Sequence, residues 1–154
     1  AQQNVGFARQ SLIAVRNAII VLADSRAALR EILSGPLNSN LHDTILFYLD
    51  AHWNEDLPLA GELDIIFSTC SRAIVLIDDF QVPDDPGYSY DDYGAGKALT
   101  ADYIAATVMK YCLAVMYPKI RSDLETGAKR GCAVLAKAEL SEALLGSVTL
   151  LRDI

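Results

Sequence analysis

Apolar residues gather in five short unbroken runs along this chain: 18–23 (AIIVLA), Ile45–Leu49 (ILFYL), Ala73–Ile77 (AIVLI), 112–117 (CLAVMY) and 132–136 (CAVLA). The runs favour β-branched and aromatic side chains and are too short for most helices. Continuous rather than alternating apolarity marks strands buried on both faces, as in a parallel sheet. The pattern therefore predicts five strands.

The polar stretches between the runs predict how these strands connect. Residues 25–33 (SRAALREIL) place Ala28, Leu29, Ile32 and Leu33 on one helical face. Asp24 or Ser25 can cap that helix, and Gly35-Pro36 ends it. Residues 57–67 place Leu59, Leu63 and Ile66 on one face. Both connections are long enough for a helical crossover between parallel strands. A polar loop rich in Gly, Pro and Tyr spans 81–97 and precedes a helical stretch at 99–110. The connection 118–131 (PKIRSDLETGAKRG) is too polar for a packed crossover, so the last two strands are expected to form an antiparallel hairpin. Residues 4–15 read as a helix with Val5, Ala8, Leu12 and Val15 inward, and 140–151 as a short closing helix or extended segment. The series is α/β, mainly parallel, with a C-terminal antiparallel hairpin.

Composition narrows the picture. With 154 residues, the chain has the length of one domain. Its 52% hydrophobic content and mean hydropathy of +0.23 exclude an intrinsically disordered chain. The apolar runs are five or six residues long, far short of a membrane helix. Ala1-Gln2-Gln3-Asn4 has neither the basic nor the apolar region of a signal peptide. Thirteen basic residues against twenty acidic ones give a net charge of −7, which argues against nucleic acid or an anionic membrane as partner. Cys70, Cys112 and Cys132 lie in or beside apolar stretches, as buried thiols do, and form no zinc-type spacing. A reduced, cytoplasmic protein is the expectation.

Candidate chemistry lies where ligands bind in open α/β sheets, at the carboxyl ends of strands. Asp24-Ser25 follows the first run, Asp50-Ala51-His52-Trp53 the second, and Asp78-Asp79-Phe80 the third. Asp50, Asp78 and Asp79 from neighbouring strand ends would repel one another, which raises a pKa or calls for a cation such as Mg²⁺. The alternative is that Asp50 and Asp78 cap the following segments while Asp79 faces water. His52 has the ordinary pKa of a general base, or is a loop histidine bonded to a carboxylate. Trp53, Tyr88, Tyr90 and Tyr93 line an apolar pocket or pack a long loop onto the body or a second subunit. His42 carries no signal. Gly94-Ala95-Gly96-Lys97 fails as a phosphate loop, because Ala98 follows the lysine and Asp91 stands in place of the first glycine. No G-x-G-x-x-G or G-x-S-x-G occurs.

Phe47-Tyr48-Leu49-Asp50-Ala51-His52-Trp53, with Asp56-Leu57-Pro58-Leu59 and Glu62-Leu63, resembles the fourth strand and following helix of class I S-adenosylmethionine-dependent methyltransferases. Ile77-Asp78-Asp79-Phe80, with Val82-Pro83 and Asp85-Pro86-Gly87-Tyr88, resembles their fifth strand and its loop. The pattern is most similar to metal-dependent O-methyltransferases, including those acting on macrolide sugars. The resemblance covers about residues 5 to 137 in order of elements. It implies a Rossmann-like sheet, with Asp50, Asp78 and Asp79 as metal ligands and Asp24 and Ser25 at the adenine of the cofactor. It implies His52 near the catalytic base, although His52 stands two residues past Asp50 where the family's histidine usually stands three past. The implied reaction is O-methylation of a small-molecule hydroxyl.

The family's glycine-rich turn and ribose-binding acid have no counterpart here. They belong to two strands that would lie between the runs at 18–23 and Ile45–Leu49. Three arrangements answer the gap: the chain is a fragment, a partner or second subunit supplies the strands, or run 18–23 closes against Ile45–Leu49. A non-catalytic module for protein interaction or oligomerisation, using loop 83–93 and an open sheet edge, is the competing function. A metal-dependent enzyme of another class is a third.

Overall fold

The computed structural model describes residues 2–51 and 56–154. Its elements, in order, are α1 (Gln2–Ser11), α2 (Ser25–Ser34), β1 (Ile45–Leu49), α3 (Leu59–Thr69) and β2 (Ala73–Ile77). There follow α4 (Ala101–Tyr111), β3 (Leu113–Pro118), β4 (Ala133–Lys137), α5 (Ala138–Ser147) and β5 (Leu151–Arg152). Four of the five expected strands are therefore present, and β5 is an addition.

The five strands form one mixed sheet in the order β1-β2-β4-β3-β5. β1 and β2 are parallel, in the register Leu49↔Ile77. β4 is antiparallel to both β2 and β3, and β5 is antiparallel to β3. The expectation of a mainly parallel sheet is corrected, since one pairing of four is parallel. The cause is the polar connection 118–131, which builds no crossover helix. The chain turns back instead, and β4 enters between β2 and β3, separating two strands that run in the same direction.

Strand alternation divides the interior between the two faces of the sheet. Ala73, Val75 and Ile77 of β2 and Ala133 and Leu135 of β4 point to one side. There they meet Leu33 of α2, Leu59, Leu63, Ile66 and Phe67 of α3, and Ile104 of α4. The apolar spacing that predicts α3 is thus the face it buries. Each such fully buried leucine or isoleucine contributes roughly 1.5–3 kcal/mol of transfer free energy. Met116, Val134 and Ala136 point to the opposite side, where α5 covers them with Leu140. That cover is partial. Leu46 and Tyr48 of β1 are 66% and 59% exposed.

Run 18–23 is not a strand. It lies in no ladder, and Ile19 is 86% exposed. Apolar, β-branched residues nominate a strand, but a strand also needs a hydrogen-bonding neighbour, and none of the described strands pairs with this run. The inward placement of Leu12 and Val15 is corrected for a related reason. α1 ends at Ser11, and both residues are exposed in the turns beyond it. The last turn of α1 and the residues up to Ile20 border an open hollow of about 500 Å³ lined by Leu12, Ile13, Val15 and Ile19 among others. The thiols also differ from the expectation of burial: Cys70 is buried, Cys132 half-buried and Cys112 exposed, and none is bridged. Cys112 ends α4 in the left-handed conformation, with φ +52°, which turns its side chain outward. No helix among the described residues is long and apolar enough to cross a membrane.

Candidate functional site

The parallel register of β1 and β2 fixes the centre of the site. Leu49 faces Ile77, and the Asp78 amide donates to the Leu49 carbonyl at 3.0 Å, extending the ladder by one residue. Asp50 and Asp78-Asp79 thus emerge together at one end of the sheet. Tyr48, two residues before Asp50, lies on the same face as Leu76 and Asp78, and its hydroxyl donates to the Asp78 carboxylate. That bond, aided by burial and the negative charge of Asp78, Asp50 and Asp79, pushes the Tyr48 phenol up to about 12. The other Asp78 oxygen accepts the Asp79 amide at 2.9 Å.

Asp79 has φ +53°, a left-handed conformation that turns the chain sharply at the end of β2. Its carboxylate accepts from Arg130 Nε. The same guanidinium donates through Nη2 to Asp91, which also accepts from the Tyr93 hydroxyl. Arg130, held between two carboxylates, has its pKa raised well above the ordinary range. Tyr93 is pushed up to about 12, first by burial and then by its bond to Asp91.

Backbone bonds complete the knot. The Asp91 amide donates to the Asp79 carbonyl (2.9 Å), and the Gly131 amide to the Ser89 carbonyl (2.8 Å). Gly131 passes so close to Phe80 that a β-carbon there would lie 2.2 Å from the Phe80 carbonyl oxygen. Tyr88 is buried and donates to the Ile120 carbonyl at 3.0 Å, so it packs the loop onto the body. Tyr90 and Tyr93 are half-buried.

Asp24 is used differently from an exposed ligand. Its carboxylate caps α2, accepting from the amides of Arg26 (3.0 Å) and Ala27 (3.2 Å). The Arg26 guanidinium also binds it, and with these amide bonds holds the carboxyl down to about 2. Arg26 then reaches Asp56 with two bonds, at 3.1 and 2.8 Å, tying the start of α2 to the segment before α3. The capping reading of Asp24 is therefore realised. Ser25 begins α2 and borders a groove of about 350 Å³ between α2 and β1. Leu29 and Ile32 form one wall and Leu46 and Phe47 another, with Asp50 and the buried Glu62 also lining it.

The structure thus brings Asp50, Asp78 and Asp79 to one sheet end, with Ser25 across the groove from Asp50. His52 and Trp53 lie outside the described residues. Sequence reasoning misses three participants: Tyr48, Arg130 and Glu62. Each has a signal. Tyr48 shares the face of Asp50 by strand alternation. An antiparallel last strand must start beside the end of β2, which brings Arg130 there. Glu62 lies three residues after Leu59 and four before Ile66, on the buried stripe of α3.

A divalent ion does not fit the carboxylates as they are arranged. Asp79 is occupied by a guanidinium and Asp78 by a phenol. Among the described residues no group of three His, Cys, Asp or Glu side chains is set to hold a metal. In comparisons with family models, curated proteins and solved structures, the chain matches none.

Proposed function

We propose that this chain is a methyltransferase-like domain that transfers a methyl group from S-adenosylmethionine to a small-molecule hydroxyl. The observation that carries the reading is the paired end of β1 and β2, which presents Asp50 in the groove under α2 and Asp78 and Asp79 at the adjoining strand end. The terminal antiparallel hairpin β3–β4 agrees with the family resemblance of the sequence. The groove suits a flat heteroaromatic ring. Leu29, Ile32 and Phe47 offer apolar walls, and Ser25 offers a hydroxyl acceptor for an exocyclic N–H group.

When bound, S-adenosylmethionine supplies the electrophilic methyl. The chain's own part is to hold a hydroxyl and move its proton. Asp50 accepts a hydrogen bond from the substrate hydroxyl and fixes the attacking oxygen. His52, two residues beyond Asp50, would take the proton of the hydroxyl that accepts the methyl group. No step runs through Mg²⁺, because an ion at this end would have to displace Arg130 from Asp79. The acidic balance of the chain suits a small-molecule substrate in a cytoplasmic setting better than a nucleic acid.

The test is calorimetric titration with S-adenosylhomocysteine, with and without Mg²⁺. Saturable binding is expected, with no dependence on Mg²⁺, and Ala28→Phe should abolish it by filling the groove. A folded chain that binds nothing would overturn the proposal. The competing reading, a non-catalytic interaction module, is favoured by the exposed apolar face of β1.

A further inference from the structure

Two surfaces of this chain are apolar and lack a strand partner among the described residues. One is the outer edge of β1, the end strand of the sheet, where Leu46 and Tyr48 are largely exposed. A strand edge offers a row of backbone donors and acceptors that another extended segment satisfies. The other is run 18–23, in no ladder, with Ile19, Val21 and Leu22 more than half exposed. Its six residues are enough to span the five of β1.

Charge sets the direction in which the two would join. Residues 1–23 contain Arg9 and Arg16 and no acid. The carboxyl end of β1 is acidic, with Asp50 beside Asp78 and Asp79. Arg16 precedes the run, so it meets those acids only if the run lies antiparallel to β1. A chain cannot pair its own run that way. The run leads into Asp24 and α2, whose start is held at the carboxyl end of β1, with Ser25 and Asp50 lining one groove and Arg26 bound to Asp56. Docked on its own β1, the run would be parallel, with Arg16 at the end away from the acids.

We propose that two copies of this chain exchange these segments. Run 18–23 of each copy lies antiparallel on the β1 edge of the other. Each chain has one such edge and one such segment, so a twofold dimer closes with neither left over. Side chains alternate along the added strand. One set enters the groove against Leu29 and Ile32, and the other extends the open face beyond Leu46. Arg16 of each copy stands near Asp50 of the other. This interface does not depend on the methyltransferase reading; the exchanged strand fills the groove given there to the heteroaromatic ring, so the dimer and the cofactor-bound chain are alternative states.

Light scattering coupled to size exclusion tests it. The expected mass is twice 16.7 kDa. Ile19→Lys with Val21→Lys should return the mass to that of one chain, with an unchanged circular dichroism spectrum. Leu46→Lys should do the same from the other side, and mixing the two variants should restore a dimer through one intact exchange. Should the double variant fail to fold, Arg16→Glu at an exposed position carries the test, raising the dissociation constant about tenfold. A monomeric parent chain, or a dimer that survives these changes, overturns the proposal. Hydrogen exchange separates the remaining alternative: protection of β1 amides should rise with protein concentration. Protection independent of concentration would assign the edge to the chain's own run and likewise overturn the exchange.

Discussion

The substitution Arg130→Met removes one cation from between two carboxylates. Arg130 is 38% exposed, Asp79 19% and Asp91 22%, so the pairs sit at a partly shielded surface. A hydrogen bond to a charged group contributes about 1.5–3 kcal/mol when well sheltered. Solvent screening lowers each of these two to about 1 kcal/mol. The loss of both is therefore about 2 kcal/mol, which in a chain of this length lowers the melting temperature by about 4–8 °C. The discriminating measurement is a double-mutant cycle by thermal denaturation at neutral pH. With Arg130 present, Asp91→Asn discards a favourable pair and should destabilise. In the Arg130→Met background, the same change removes a negative charge beside Asp79 and should stabilise. Added salt should shrink both effects. If Asp91→Asn has the same sign in both backgrounds, the guanidinium does not hold the site together.

Three further outcomes follow from the geometry. Asp24→Ala should lower helicity and melting temperature at neutral pH. Because the folded carboxyl sits near 2 against an ordinary value of 3.8, the difference between parent and variant should be full above pH 4 and fade as pH falls towards 2. Gly131→Ala drives a methyl into the Phe80 carbonyl at 2.2 Å and should cost about 1–3 kcal/mol in urea unfolding; a silent change would refute the close Phe80–Gly131 packing. Leu63→Ala, at a fully buried position under the sheet, should cost about 2–5 kcal/mol on the same assay, whereas Ala at exposed Met109 should be nearly neutral.

Much of the fold was legible because its signals are local. The stripe Leu59, Leu63 and Ile66 specifies both the helix and the face it buries. Asp24 ahead of Ser25 marks a helix start by a side chain's reach to its own backbone. Ile45–Leu49 and Ala73–Ile77 announce strands by composition alone. What depends on distant partners was not legible. Run 18–23 has strand composition and no strand beside it among the described residues. The place of β4 between β2 and β3 is set by which edge is open when the chain returns, and no residue of β4 encodes that. The acids of the site could be found from the sequence, since strand ends are positions in a pattern. Their company could not be. Arg130 stands 51 residues from Asp79 and is read as one more charge in a polar loop until the hairpin brings it there.

The insertion of β4 between β2 and β3 also has a consequence for how the protein is made. As the chain emerges from a ribosome, β1 and β2 can pair early, through a connection formed by α3. β2 must then wait for residue 133 before its second edge is covered, and β3 waits beside it. During that interval two apolar strands stand open, a condition that slows folding and invites association with other nascent chains. Any truncated product that stops short of β4 would keep both edges open for good, and should be found with chaperones or in inclusion bodies rather than free.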